Sequence, residues 1–120
     1  MPLIPTEALP YFENAIYFPM LISILEMDRK AIESGPFKLK GPYFKLIDEA
    51  LKIVRAESKQ TNIYLTRNNM KMIKGSNDGA FTEYTFIFGG YEEHRRYMNM
   101  RLRNRTEELI SVYFTMTNIN

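Results

Sequence analysis

Between Thr6 and Ser34 the apolar residues Ile16, Tyr17, Met20, Leu21, Ile24, Leu25, Ala31 and Ile32 recur at steps of three and four. That spacing lines one face of an α-helix, and Thr6 is a suitable N-cap for it. Pro19 falls inside the run. It has no amide hydrogen to give the Ala15 carbonyl and its ring crowds that group, so a kink, or a division into two helices, is expected there. Ser34-Gly35-Pro36 ends the pattern. Gly41-Pro42 opens a second stripe, formed by Phe44, Ile47, Leu51, Val54, Ser58, Thr61 and Leu65 and reaching Arg67. The connecting GPFKLKGP is short and held by its prolines, which suits a corner between antiparallel helices better than a linker between domains.

After Asn69 the periodicity changes. MKMIK, a GSNDG tip and AFTEYTFIFGG have the composition of a β-hairpin, with Tyr84, Phe86 and Phe88 on one face and Thr85 and Ile87 on the other. An isolated hairpin is marginal in water, so the aromatic face is expected to lie on a helix or on a second copy of the sheet. Gly89-Gly90 reads as the end of the strand, followed by a third helix from Tyr91 to Phe114. The expected fold is therefore α+β and mainly helical: two long antiparallel helices, a β-hairpin and a C-terminal helix, in a single domain spanning 1–120.

The third helix contains Arg95, Arg96, Arg101, Arg103 and Arg105. On a helical wheel Tyr91, His94, Met98, Leu102, Thr106, Leu109 and Tyr113 form the core stripe. Arg96 and Arg103 point away from it, Arg101 flanks it, and Arg95 and Arg105 fall within it or at its edge. Glu92 can pair with Arg96, Glu107 with Arg103 and Glu108 with Arg105, so the helix largely carries its own counter-ions. Arg95 and Arg105 then need a carboxylate from elsewhere, a carbonyl, an aromatic face or a partner chain, and Asp28, Asp48, Glu49 and Glu83 are the candidates.

Charge adds little to this picture. Lys and Arg total 16 against 14 for Asp and Glu, a net +2 with a pI near 8.8, too small an excess to mark a dedicated nucleic-acid coat. Cysteine is absent, which excludes disulfides, thiolate metal sites and cysteine nucleophiles and fits a reducing, cytoplasmic setting. MPLIPTEAL has neither a basic leader nor a following apolar run, so no secretory signal is expected. AIYFPMLISILEM is closed off by Glu13 and Asp28 and is too short to span a bilayer. A membrane is not expected as a partner.

Candidate chemistry is sparse. His94 is the single histidine; no nucleophile or ligand set accompanies it, and it is expected to be buried or half-buried against a backbone or carboxylate group. GSNDG lacks the Lys-Ser/Thr of a phosphate loop and is not followed by a helix. No cofactor and no metal are expected. Met100 turns away from the stripe and suits either an irregular core or a partner surface.

Two functions are weighed. The first is a non-enzymatic protein-interaction or regulatory module, a homodimer or a binder of another protein, with Tyr84, Phe86 and Phe88 as interface aromatics. The second is a winged helix-turn-helix DNA-binding regulator. It would use Lys71 and Lys74 of the hairpin with the five arginines as anion contacts, and needs one basic surface joining Lys71, Lys74, Arg96 and Arg103. The helix before the hairpin is about twice the usual recognition length. An enzyme would need a deep pocket on which His94 and a carboxylate converge.

MDRKAIESGPFKLKGPYFKLIDEALK together with FTEYTFIFGGYEEHRRYMNMRLRNRTEELI resembles the YhjD-like family, small proteins from Bacillus-type spore-formers. The resemblance implies a cytosolic bacterial protein linked to sporulation. It carries no catalytic motif, and no functional residue transfers from it.

Overall fold

The computed structural model describes residues 4–117. Its elements run α1 (Leu9–Ser34), α2 (Gly41–Arg67), β1 (Met70–Asn77), β2 (Phe81–Phe88), β3 (Tyr91–Met98) and α3 (Asn99–Met116). The architecture is mainly helical α+β, as the patterning predicts, with one element of a different kind from the one expected.

α1 runs unbroken for 26 residues through Pro19, so the division into two helices does not occur. Pro19 lies on the exposed side of the helix, where solvent can satisfy the carbonyl that its ring leaves without a donor. Ala8, not Thr6, is the N-cap residue, and Pro10 occupies the first turn, where a missing amide hydrogen costs nothing. α2 returns antiparallel to α1. Three contacts set the register: the Tyr11 and Tyr64 rings stack with centroids 3.6 Å apart, Asn14 Nδ2 donates to Thr61 Oγ1 at 3.2 Å, and Arg29 pairs with Asp48 at 2.7 Å. Between the helices Phe18, Leu21 and Leu25 pack against Ile47, Ala50, Leu51, Val54 and, from α3, Tyr113.

The three strands form an antiparallel sheet in the order β1-β2-β3. The third helix expected from Tyr91 begins only at Asn99, and Tyr91–Met98 is a strand. The cause is the Gly89-Gly90 pair. Its φ angles of +53° and +83° belong to a two-residue hairpin turn that feeds directly into a paired strand, with Phe88 opposite Tyr91. Once paired, the segment alternates: Glu93, Arg95 and Tyr97 are half-buried, while Glu92, His94, Arg96 and Met98 are exposed.

Tyr84, Phe86 and Phe88 are buried at 4%, 0% and 7% exposure. They pack against Ala8, Phe12 and Ile16 of α1, with Leu65 of α2 and Leu102 of α3 alongside, and the Phe12 and Phe86 rings stack at 4.7 Å. Full burial of one such ring is worth roughly 2–3 kcal/mol. The helix of the same chain thus covers the aromatic face, and the assignment of these residues to a dimer interface is corrected. α3 starts where Asn99 grips the β1–β2 tip: its backbone N–H donates to the Ala80 carbonyl at 2.8 Å, its Nδ2 donates to Asn77 Oδ1 at 2.9 Å, and its Oδ1 accepts from Thr82 Oγ1 at 2.6 Å. From there Leu102, Thr106 and Tyr113 face inward, the second half of the stripe read from the sequence.

The sheet packs on the first half of α1 and the end of α2. The corner at residues 35–40 is therefore at the opposite end of a molecule measuring 57 × 32 × 18 Å. Because a Cβ on Gly90 would meet no atom within 4 Å, Gly90→Ala isolates the backbone requirement. Thermal unfolding of that variant is expected to show a loss of about 1–2 kcal/mol.

Candidate functional site

The alternation of β3 separates the arginines that a helix would have gathered. Arg95 points to the inner face, paired with Glu93 and with its guanidinium 5.2 Å from the Phe86 ring centroid. It is half-buried and finds both counter-ion and aromatic face within its own sheet, as a cation beside a core must. Arg96 points to the outer face, 4.4 Å above the Phe81 ring and 3.3 Å from Asp78. The Phe81 and Ala80 backbone N–H groups, with Arg96 adding to them, hold the Asp78 carboxyl below its ordinary range. On α3, Arg105 meets Glu108 at 3.0 Å in the expected i,i+3 pair, and Arg101 and Arg103 are exposed. The i,i+4 pair of Glu92 with Arg96 cannot form, since residues four apart on a strand are not neighbours.

The hairpin lysines divide in the same way. Lys71 lies opposite Ile87 and Lys74 opposite Tyr84, so they emerge on opposite faces of the sheet. The single basic surface needed to join Lys71, Lys74, Arg96 and Arg103 is not assembled. His94 is exposed, contrary to the burial expected, because the strand turns it outward beside Thr85, whose Oγ1 is 2.9 Å from its Nδ1. Glu92 is 3.6 Å from its other ring nitrogen. Among the described residues no group of three or more metal-ligating side chains converges.

Two further places bring side chains together. The first is a crevice where α3 closes on the helical hairpin. The Tyr113 hydroxyl donates to the Glu57 carboxylate, beside an open groove of about 440 Å³ lined in part by Tyr11, Phe18, Gln60 and Thr61. Burial, and then the neighbouring Glu57, push the Tyr113 phenol well above its ordinary value of 10.0. A phenol held in its neutral form against a carboxylate clasps α3 to α2 and is poorly placed to give up its proton. The ring of Tyr11, which borders the same groove, is already stacked on Tyr64.

The second place is the corner between α1 and α2, which was read from the sequence as a turn and nothing more. Leu39 is 78% exposed, Met27 65%, Tyr43 47% and Phe37 43%. Phe37 and Tyr43 tilt together with centroids 5.3 Å apart. They border an apolar groove of about 290 Å³ reaching Ile32, Leu46 and Phe114. From Gly35 to Ile47 the chain carries Lys38, Lys40 and Lys45 and no acid. That alternation of cations with Phe, Leu and Tyr was the signal in the sequence that marks this end.

The clasp sets a pH dependence. A phenol whose folded-state pKa is raised adds stability below its unfolded value of 10.0, and that stability is lost as pH rises above it. Thermal melts across alkaline pH are expected to show wild type losing stability above pH about 10 more steeply than Tyr113→Phe. At neutral pH the same variant is expected to be weaker by about 1 kcal/mol for the lost hydrogen bond.

Comparison with known proteins adds lineage to this geometry. The chain is 38% identical over 113 residues, covering 94% of each protein, to the uncharacterized protein YhjD of Bacillus subtilis (strain 168). No solved structure matches it. A family model described as YhjD protein matches residues 3–118. With a match of that extent, the chain belongs to the YhjD family.

Proposed function

We propose that the protein is a non-enzymatic binding module that engages its target through the corner between α1 and α2. The observation that carries this reading is the exposure of Phe37, Leu39 and Tyr43 along one short corner, with Phe37 and Tyr43 bordering an apolar groove. Scattered apolar side chains on a surface need no explanation, whereas a contiguous set bordering an apolar groove marks a contact site. The arginines and the aromatic strand singled out in the sequence are weaker candidates. Arg95, Arg96 and Arg105 are each matched to a carboxylate, and the aromatic strand is consumed by packing on α1.

Read from the sequence, small size and aromatic excess favour a homodimer, through hairpins or terminal helices. Since α1 covers Tyr84, Phe86 and Phe88, the hairpin loses that motive, and the corner is a further surface through which two copies would meet. For the DNA-binding alternative, the distribution of Lys71, Lys74 and Arg96 over two faces removes the geometric motive, and a mobility assay on duplex DNA at low salt is expected to show no shift.

The corner reading is tested with an apolar reporter dye such as 1-anilinonaphthalene-8-sulfonate. Its fluorescence is expected to rise on addition of the folded protein. The double variant Phe37→Ser/Leu39→Ser is expected to lose most of that rise while still unfolding cooperatively, with a melting temperature lowered only by the loss of the Phe37–Tyr43 contact. A dye response that the double variant retains in full places the contact surface elsewhere and overturns the proposal.

A further inference from the structure

We infer that the corner docks onto an anionic lipid surface; this rests on the reading above that the corner is the binding end, and names what it binds. The first argument is chemical. The segment Gly35–Ile47 interleaves Phe37, Leu39, Tyr43 and Phe44 with Lys38, Lys40 and Lys45 and contains no acid. Phe and Leu side chains gain by entering the boundary between headgroups and acyl chains. A Tyr ring sits at that level with its hydroxyl in water, and Lys stems cover apolar surface while their ammonium groups reach the phosphates.

The charges that face this end divide by element. Asp28 and Glu33 are on the last turns of α1, and Asp48 and Glu49 are on α2 beyond the acid-free stretch. Asp48 is engaged by Arg29 at 2.7 Å. Lys40 donates to the Glu33 carbonyl at 2.6 Å, which spends a proton donor but leaves its charge. Lys38 and Lys45 are exposed. Asp28 lines the groove beside Phe37 and Tyr43, while Lys38, Leu39 and Lys45 stand exposed in the acid-free stretch beyond it.

The second argument is one of size and shape. The corner is short, and Phe37, Leu39 and Tyr43 are its exposed apolar side chains, few beside the roughly 20–30 residues that each partner contributes to a stable protein complex. A lipid surface requires no matching concavity and yields to a small apolar tip. The sequence excluded a membrane partner for want of a spanning segment. No helix among the described residues is long and apolar enough to cross a bilayer, but contact with a surface needs no crossing.

The test is co-sedimentation of the full chain with vesicles of phosphatidylglycerol and phosphatidylcholine in about a 3:7 ratio, beside vesicles of phosphatidylcholine alone. Binding to the anionic vesicles is expected to exceed binding to the neutral ones by at least about tenfold and to weaken with added salt. Phe37→Ser/Leu39→Ser and Lys38→Glu/Lys45→Glu are each expected to reduce it by at least about tenfold while the chain still unfolds cooperatively. Anionic-vesicle binding that both variants keep would overturn the inference, since the contact would then lie elsewhere on the molecule. Absence of vesicle binding, with a dye response that still depends on Phe37 and Leu39, would overturn the lipid assignment and leave the corner as the binding end. If sedimentation equilibrium showed self-association that Phe37→Ser/Leu39→Ser abolishes, without vesicle binding, the occupant would be a second copy of this chain. Loss of both the vesicle and the dye results would remove the two proposals together.

Discussion

The stack of Phe12 on Phe86 is the contact on which the rest of the structure depends. It joins the first half of α1 to the central strand of the sheet, and with Tyr84, Phe88, Ala8 and Ile16 it makes a core that neither element could bury alone. A three-stranded sheet this small has one face to hide. Because α1 is long enough to cover that face and still pair with α2 beyond it, one helix serves two cores in series, the second centred on Leu21, Leu25 and Val54. The elongated shape follows from this sharing, and so does the separation of the corner from the sheet.

Most of the fold was legible where a single period ran uninterrupted. The α2 stripe from Phe44 to Leu65, the alternation of Tyr84, Phe86 and Phe88, and the Leu102, Thr106 and Tyr113 face of α3 all hold in the structure. The segment Tyr91–Met98 was not legible as a strand, because it has no β-branched residue and its charges are spaced as though for helical ion pairs. The decisive sign is local. Two consecutive glycines between apolar strand residues permit positive φ at both central positions of a tight hairpin turn, and Gly89-Gly90 adopts that geometry. Tertiary pairing then overrode the helical pattern.

The candidate site was less legible still, and the reason is physical. Arginines attract attention in a sequence by their charge, yet a charge reveals nothing until its counter-ion is placed. Glu93, Asp78 and Glu108 take up Arg95, Arg96 and Arg105, and two of those partners sit on positions that a helical reading would have directed elsewhere. Conversely, GPFKLKGP reads as a corner because its prolines punctuate the helices, and punctuation conceals what the intervening residues carry. An exposed Leu39 becomes informative only once the structure shows that no other element among the described residues covers it.

Pro36 and Pro42, which bracket the corner, have a thermodynamic consequence of their own. Their rings preset the backbone on either side of Phe37 and Leu39, so much of the freedom that a flexible loop would surrender on meeting a target is already gone when the chain folds. The ordering penalty is charged to folding, where two packed cores can offset it.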